Sequence, residues 1–211
     1  MMKFLSKFDS DASIANKARC WRHCGCGKIS FSIYEEGTMM ADDKYRSVLS
    51  INVGGSTKKE LHRALRQANV QLNPHGESLF DDSRFTVSPQ AHPETVVFAT
   101  VADLGFPNGA NLPTIFQKAE SIGWQLCPLE LAVYLRLQWQ GQEKSTNNIL
   151  HKHEAPQGAV TVASSVIDPD SNHPKGFYLR NIDGQLWLRG YICDDEYAFH
   201  PEDQFAFIGG K

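Results

Sequence analysis

Residues 95–136 read TVVFATVADLGFPNGANLPTIFQKAESIGWQLCPLELAVYLR, and this one stretch carries a strand, a turn, a capped helix and a Cys-Pro junction into a further apolar segment. Glu94 to Ala102 is rich in Val and Thr and nearly continuous in apolar character, which predicts a strand at a central place in a sheet. Phe106-Pro107-Asn108-Gly109 turns the chain. Asn111 is placed to cap a new helix, Pro113 is tolerated in its first turn, and Ile115, Phe116, Ala119 and Ile122 share one face before Gly123 ends it. The segment after Cys127 reads two ways. Pro128 opens a helix with Cys127 as its N-cap, yet Leu131, Val133, Leu135, Leu137 and Trp139 alternate as one face of a strand does; the helix, through about Leu137, is preferred.

Upstream, residues 45–53 (YRSVLSINV) alternate as a strand that Gly54-Gly55 breaks. Thr57 and Glu60 have the spacing of a capping box, and Leu61, Ala64, Leu65 and Ala68 form one apolar stripe, so a helix is expected from Thr57 to about Asn69. Asn73-Pro74-His75-Gly76 reads as a turn, and Phe85 to Val87 as a short extended segment. Downstream, residues 141–157 are polar and read as a long loop. Strand-like runs come next at 159–167, 176–181, 185–193 and 204–208, with Asp183-Gly184 as a strong hairpin signal. Helices come first and an antiparallel meander last. The expected fold is therefore α+β, a single domain over residues 40–211, with N-terminal helices packed on a mostly antiparallel sheet that ends in a C-terminal β-meander.

A chain of 211 residues with 41% hydrophobic and 21% charged residues suits one domain with an appended arm. A net charge of -3 and a pI near 6.2 supply no overall field for nucleic acid, which is held chiefly by clustered Lys and Arg. No apolar run approaches the ~20 residues that cross a bilayer. The start, MMKFLSKFDSDAS, lacks the apolar core of a secretory signal, and five cysteines make a poor disulfide framework. A cytoplasmic protein is expected.

Residues 1–39 read as a separate matter. Glu35-Glu36-Gly37 is encoded by GAR-GAR-GGN, a purine-rich string like a bacterial ribosome-binding site, just before Met39-Met40. Two expectations arise: translation begins at Met39 or Met40 and the upstream residues are leader sequence, or residues 1–39 are a disordered arm. Cys20, His23, Cys24 and Cys26 crowd four possible zinc ligands together but lack the second, separated pair that lets a chain wrap a tetrahedron. No metal or other cofactor is expected.

The order Leu104-Gly105-Phe106, Gly109-Ala110, Leu126-Cys127-Pro128 with Glu130, Leu135-Arg136-Leu137-Gln138, Asp168, Asp183-Gly184 and Leu186-Trp187-Leu188 resembles a family of small uncharacterised bacterial proteins, some loosely labelled helicase. The likeness covers most of residues 45–208 and omits the first 39. Where such relatives read Glu-Val-Gly-Pro after the Cys-Pro, this chain has Glu130-Leu131-Ala132-Val133. The resemblance implies no known activity. A helicase needs a phosphate loop ending in Gly-Lys-Ser/Thr, of which Gly54-Gly55-Ser56-Thr57-Lys58 is a fragment.

Candidate site residues remain. Gly54 to Lys58 opens a helix where an anion can sit, though the capping box already explains it. Cys127 at a helix start is a candidate nucleophile, opposed by the nearby Glu130. Arg136 lies within an apolar run, where a cation must snorkel, pair or bind something, and with Gln138 it is the first candidate for a ligand anchor. Asp168-Pro-Asp170-Ser-Asn172 opens like a calcium loop but continues with His173 and Leu179 in place of the required Gly and Glu. His151, His153 and Glu154 are adjacent only by loop sequence. Trp187, Arg189 and Tyr191 share a strand face opposite Leu186 and Leu188, an aromatic and cationic face expected to be exposed and to suit a partner.

Two function classes remain open. One is a small intracellular binding or regulatory module without catalytic activity, using Glu130, Arg136, Gln138 or the Trp187, Arg189, Tyr191 face for a protein partner or small ligand. The other is a cysteine- or carboxylate-dependent hydrolase or transferase centred on Cys127 and Glu130, which predicts a pocket uniting them with a histidine such as His92 or His173. The binding module is preferred.

Overall fold

The structure, a computed structural model, describes residues 47–146 and 155–210. The chain falls into two units, Met1–Met39 and Met40–Lys211, and every described residue belongs to the second. The arm over residues 1–39 with Cys20, His23, Cys24 and Cys26, and the loop residues His151, His153 and Glu154, lie outside the described residues.

Strand β1 (Ser47–Val53) gives way at Gly54 to helix α1 (Lys58–Gln67), and the capping box forms as its spacing requires. Glu60 N donates to Thr57 Oγ1 at 3.3 Å and Thr57 N donates to Glu60 Oε2 at 2.8 Å. The helix stops short of Asn69, whose φ of 54° turns the chain into the two-residue strand β2 (Gln71–Leu72). Asn73 to Gly76 is a helix start rather than the expected turn. Asn73 caps α2 (Pro74–Asp81) by accepting from Gly76 N at 2.9 Å, and Pro74 takes the first helical position, where its missing N–H costs nothing. Residues 85–87 join no sheet; Phe85 instead packs into the core.

Strand β3 (His92–Thr100) is an interior strand, second from the β1 edge rather than central, and is buried from Val96 to Ala99, as its continuous apolar character predicts. A short strand β4 (Ala110–Asn111) then leads into α3 (Leu112–Ser121), where Asn111 Oδ1 accepts from Thr114 N at 3.1 Å. Helix α4 (Leu129–Gln138) resolves the ambiguous segment, with Pro128 rather than Cys127 at its N-cap. Every residue from Leu129 to Arg136 is buried, so the helix is enclosed on all sides and neither a one-sided stripe nor an alternation describes it.

Strands β5 (Val160–Val162), β6 (Gly176–Ile182) and β7 (Gln185–Tyr191) form the antiparallel meander. Asp183 and Gly184 both take positive φ, 52° and 94°, as a two-residue hairpin turn requires. Strand β8 (Ala198–Phe199) pairs with β4, and β9 (Gln204–Ile208) crosses back to the middle of the sheet. The order is β1-β3-β9-β5-β6-β7-β2, antiparallel except where β5 meets β9 and β2 meets β7. The expected α+β fold with a mostly antiparallel sheet is thus observed.

The sheet separates two apolar clusters. On its inner face α1, α2 and α4 pack Leu61, Leu65, Leu79, Leu131 and Leu135 against Ile51, Val96, Val162, Phe177, Leu179 and Leu188. Each such side chain contributes about 1.5–3 kcal/mol by burial. On the outer face α3 sets Ile115 and Ala119 with Val97, Ala99, Phe205 and Phe207, beside β3 and β9. Strand β6 is buried on both faces from Gly176 to Asn181, with Ser145 and Gln157 on its outward Arg180, whereas the outward residues of β7 are half-buried and no described helix packs on them.

Amide side chains close the sheet at two places. The Gln138 amide bonds both backbone groups of Asn52 in β1, at 3.0 and 2.8 Å, where the opposite neighbour is Pro93. Asn73 does the same for Gly190 in β7, at 2.8 and 2.9 Å. A side chain at position 190 would collide with His75 and Gly76 backbone at 2.5–2.6 Å, so the glycine is what lets α2 sit this close. Among the described residues no helix is long and apolar enough to cross a membrane.

Candidate functional site

The fold gives Glu130, Arg136 and Gln138 separate internal tasks. Glu130 is 2% exposed at the start of α4, and both carboxylate oxygens accept from Ser88 N at 3.0 Å while Ser88 Oγ donates to Oε1 at 2.5 Å. Arg136 is fully buried. Its Nη1 donates to Gln142 Oε1 at 2.6 Å, Nη2 donates to the Trp139 carbonyl, and the Trp139 ring lies 6.0 Å from the guanidinium carbon. No carboxylate among the described residues answers this charge, and burial lowers its pKa to about 10. Gln142 in turn donates to the Gly158 and Leu179 carbonyls, so Arg136 ties α4 to the segment beyond it. Gln138 faces Asn52 instead, and the two candidates for one ligand anchor do not meet.

Cys127 is enclosed, with its thiol 3.6 Å from the Ala206 carbonyl. Burial first, and Glu94 second, push its pKa well above the ordinary thiol range. Neither His92 nor His173 hydrogen-bonds to Cys127 or Glu130: His92 Nε2 sits 3.4 Å from Glu94, and His173 Nε2 sits 3.5 Å from Asp82. The Gly54 loop is likewise occupied by the fold. Gly55 N donates to Ser88 O, and Lys58 Nζ donates to Asp82 O while lying over the Phe80 and Phe85 rings.

The calcium-like segment closes around a protein cation. Lys175 Nζ donates to the carbonyls of Asp168 and Asp170 at 3.0 and 2.8 Å. Arg84 joins it to α2, bonding Asp82 through Nε and Nη2 and Asp168 through Nη1. Arg84 holds the Asp82 carboxyl well below the usual carboxylate range, and the Asp170 N–H, then Arg84, lower that of Asp168. This tie between loop and helix was not anticipated, because its members are distant in sequence. Among the described residues no three His, Cys, Asp or Glu side chains converge as metal ligands would.

The outer face of β6 and β7 is arranged differently. Trp187, Arg189 and Tyr191 do share that face, opposite the fully buried Leu188, but each is half-buried where exposure was expected. They have lateral neighbours: the hairpin register sets Tyr178 opposite Arg189 and the buried Arg180 opposite Trp187. The guanidinium carbon of Arg189 lies 5.1 Å from the centre of the Trp187 ring and 5.9 Å from that of Tyr178, and Tyr178 meets Tyr191 edge to face at 6.5 Å. Tyr191 turns its ring toward the outer core. Burial drives its phenol pKa far up, and its hydroxyl has no protein partner among the described residues.

Arg189 has stacking partners and nothing else. Among the described residues no carboxylate pairs with it and its Nε is buried without an acceptor. Nearby Arg180, by contrast, donates to Gln157 O and Ser145 Oγ. Sequence reasoning missed Tyr178, although the signal was present: a two-residue turn at Asp183-Gly184 puts Ile182 opposite Gln185 and so Tyr178 opposite Arg189. An aromatic-flanked guanidinium with free donors can recognise a planar anion and can seat an apolar neighbour beside it.

No family model matches this chain, and no curated protein or solved structure does either.

Proposed function

We propose that this protein is a small binding or regulatory module that contacts a protein partner through the Trp187, Arg189 and Tyr191 face of β7. The observation that supports this reading is Arg189, half-buried between Trp187 and Tyr178 with no acceptor among the described residues. The terminal N–H donors of Arg189 also bond to no described residue, so a partner's acceptor would add a charge-assisted hydrogen bond worth about 1.5–3 kcal/mol. Trp, Tyr and Arg are also the residue types that dominate binding energy at interfaces. The residues proposed for chemistry, Cys127 and Glu130, are enclosed and answered within the fold.

A photo-cross-linking amino acid at position 187, with a second one at exposed Glu120 as control, tests the reading in cells. A discrete adduct at 187, absent at 120 and lost when Arg189→Gln is added, is the expected result. Equal adducts at the two positions, or none at 187, would overturn it.

A further inference from the structure

Resting on that reading, we infer that the partner presents an acidic peptide segment and that one of its side-chain carboxylates is received by Arg189. The guanidinium is planar and carries five donors in a fixed fork, a shape that matches a carboxylate through two parallel hydrogen bonds. The Trp187 and Tyr178 rings lie 5.1 and 5.9 Å from its central carbon. Its Nε is buried, so a carboxylate would be received by the two terminal nitrogens, which bond to no described residue.

Charge decides the sign of the occupant and the number of charges taken up at one point. Arg189 is without an ion pair among the described residues, whereas Arg84 is paired twice and Arg136 and Arg180 are bound by carbonyl and side-chain oxygens. One open fork fits one carboxylate. A doubly charged phosphate would need a second free cation, and Asp194 and Asp195 come directly after β7.

Shape decides that the occupant is a peptide. Strand β6 is buried from Gly176 to Asn181, so what a ligand can reach here is the row of half-buried residues Trp187, Arg189 and Tyr191 along β7. The groove of about 220 Å³ lined by His62, Leu72, Glu77, Phe80 and Asp81 lies among α1, β2 and α2. A small acid held by Arg189 would gain a single ion pair and nothing from the rest of that row. An extended segment gains from several contacts along the strands, with Trp187 beside the ion pair to shield it from water.

The test is calorimetric titration of the full chain with a hexaglutamate peptide, against hexalysine and inorganic phosphate, at low and at about 0.3 M salt. Hexaglutamate is expected to bind and hexalysine not, with affinity falling as salt rises. Arg189→Lys keeps the charge but loses the fork, and should weaken binding about tenfold; Arg189→Gln should weaken it further. Trp187→Ala should weaken binding with the salt dependence retained. Urea unfolding of each variant, expected to match that of the natural chain, shows that the fold is intact.

If hexaglutamate fails to bind, or binds Arg189→Gln as well as the natural chain, while the adduct at position 187 persists, the carboxylate inference falls and the binding face stands. If the adduct is absent as well, both fall. Phosphate binding that is tighter than hexaglutamate binding and depends on Arg189 would also overturn the inference.

Discussion

Arg136 and Arg189 are both surrounded by apolar and aromatic groups, yet the fold treats them in opposite ways. Arg136 lies under the sheet's inner face with no exposure, and its donors reach Gln142 and the Trp139 carbonyl. Arg189 lies on the outer face of β7 with ring contacts alone. A buried cation whose terminal donors are answered by the chain itself, with only its Nε left over, is holding elements together. A half-buried cation with rings on its faces and no acceptor at its edge is set for something that arrives later. The same division runs through their neighbourhoods. Glu130, Gln138 and Cys127 on the inner side are all engaged within the fold, whereas Tyr178, Trp187 and Arg189 outside form a platform over which no described helix packs.

The contrast is easiest to break by mutation of Arg136. Arg136→Ala strands the Trp139 carbonyl and Gln142 and leaves a cavity, so a loss of about 3–5 kcal/mol in urea unfolding is expected, with Arg136→Met losing less because it refills the space. A neutral Arg136→Ala would remove the distinction between the two arginines. Cys127 offers a second probe of closure. Its thiol pKa is raised by burial, so the thiolate is scarce at every pH where a free cysteine reacts. Peptide mapping after alkylation near pH 8.5 should show Cys127 modified roughly 100-fold more slowly than after unfolding. Fast modification of the native chain would reopen the enzyme reading. Gln138→Ala uncovers the backbone of Asn52 and should cost about 1–2 kcal/mol, measured the same way. Arg189→Gln should change stability by about 1 kcal/mol or less, since only ring contacts are lost. A loss as large as that of Arg136→Ala would make Arg189 structural too, and the comparison would collapse.

Much of the architecture was legible because its signals are local. Thr57 with Glu60, Asn111 with Thr114, and Asp183-Gly184 act within a few residues, and each produced the cap or turn its chemistry demands. Helix α2 was missed since Asn73-Pro74 signals a turn and a helix start equally well, and the helix itself has only Leu79 and Phe80 as large apolar residues. The site was legible in part. Trp187, Arg189 and Tyr191 were placed on one face by alternation alone, but the contacts of Arg189 and Tyr191 with Tyr178 depend on the neighbouring strand. Glu130 and Arg136 could be recognised as needing partners, while Ser88 and Gln142 as those partners depended on how α4 is enclosed.

By itself the sequence determined the α+β class, the caps and turns, the hairpin register, and a sheet face bearing two aromatic residues and an arginine. These rest on backbone geometry and side-chain period, which act over one or two turns of chain. Only the tertiary structure decided that β9 returns to the middle of the sheet, that α4 is enclosed on every side, and that α3 covers the outer face beside β3 and β9. Those outcomes depend on contacts between residues far apart in the chain, where an apolar side chain has many partners it could satisfy. Which arginine is answered inside the fold and which is left open is settled by that packing.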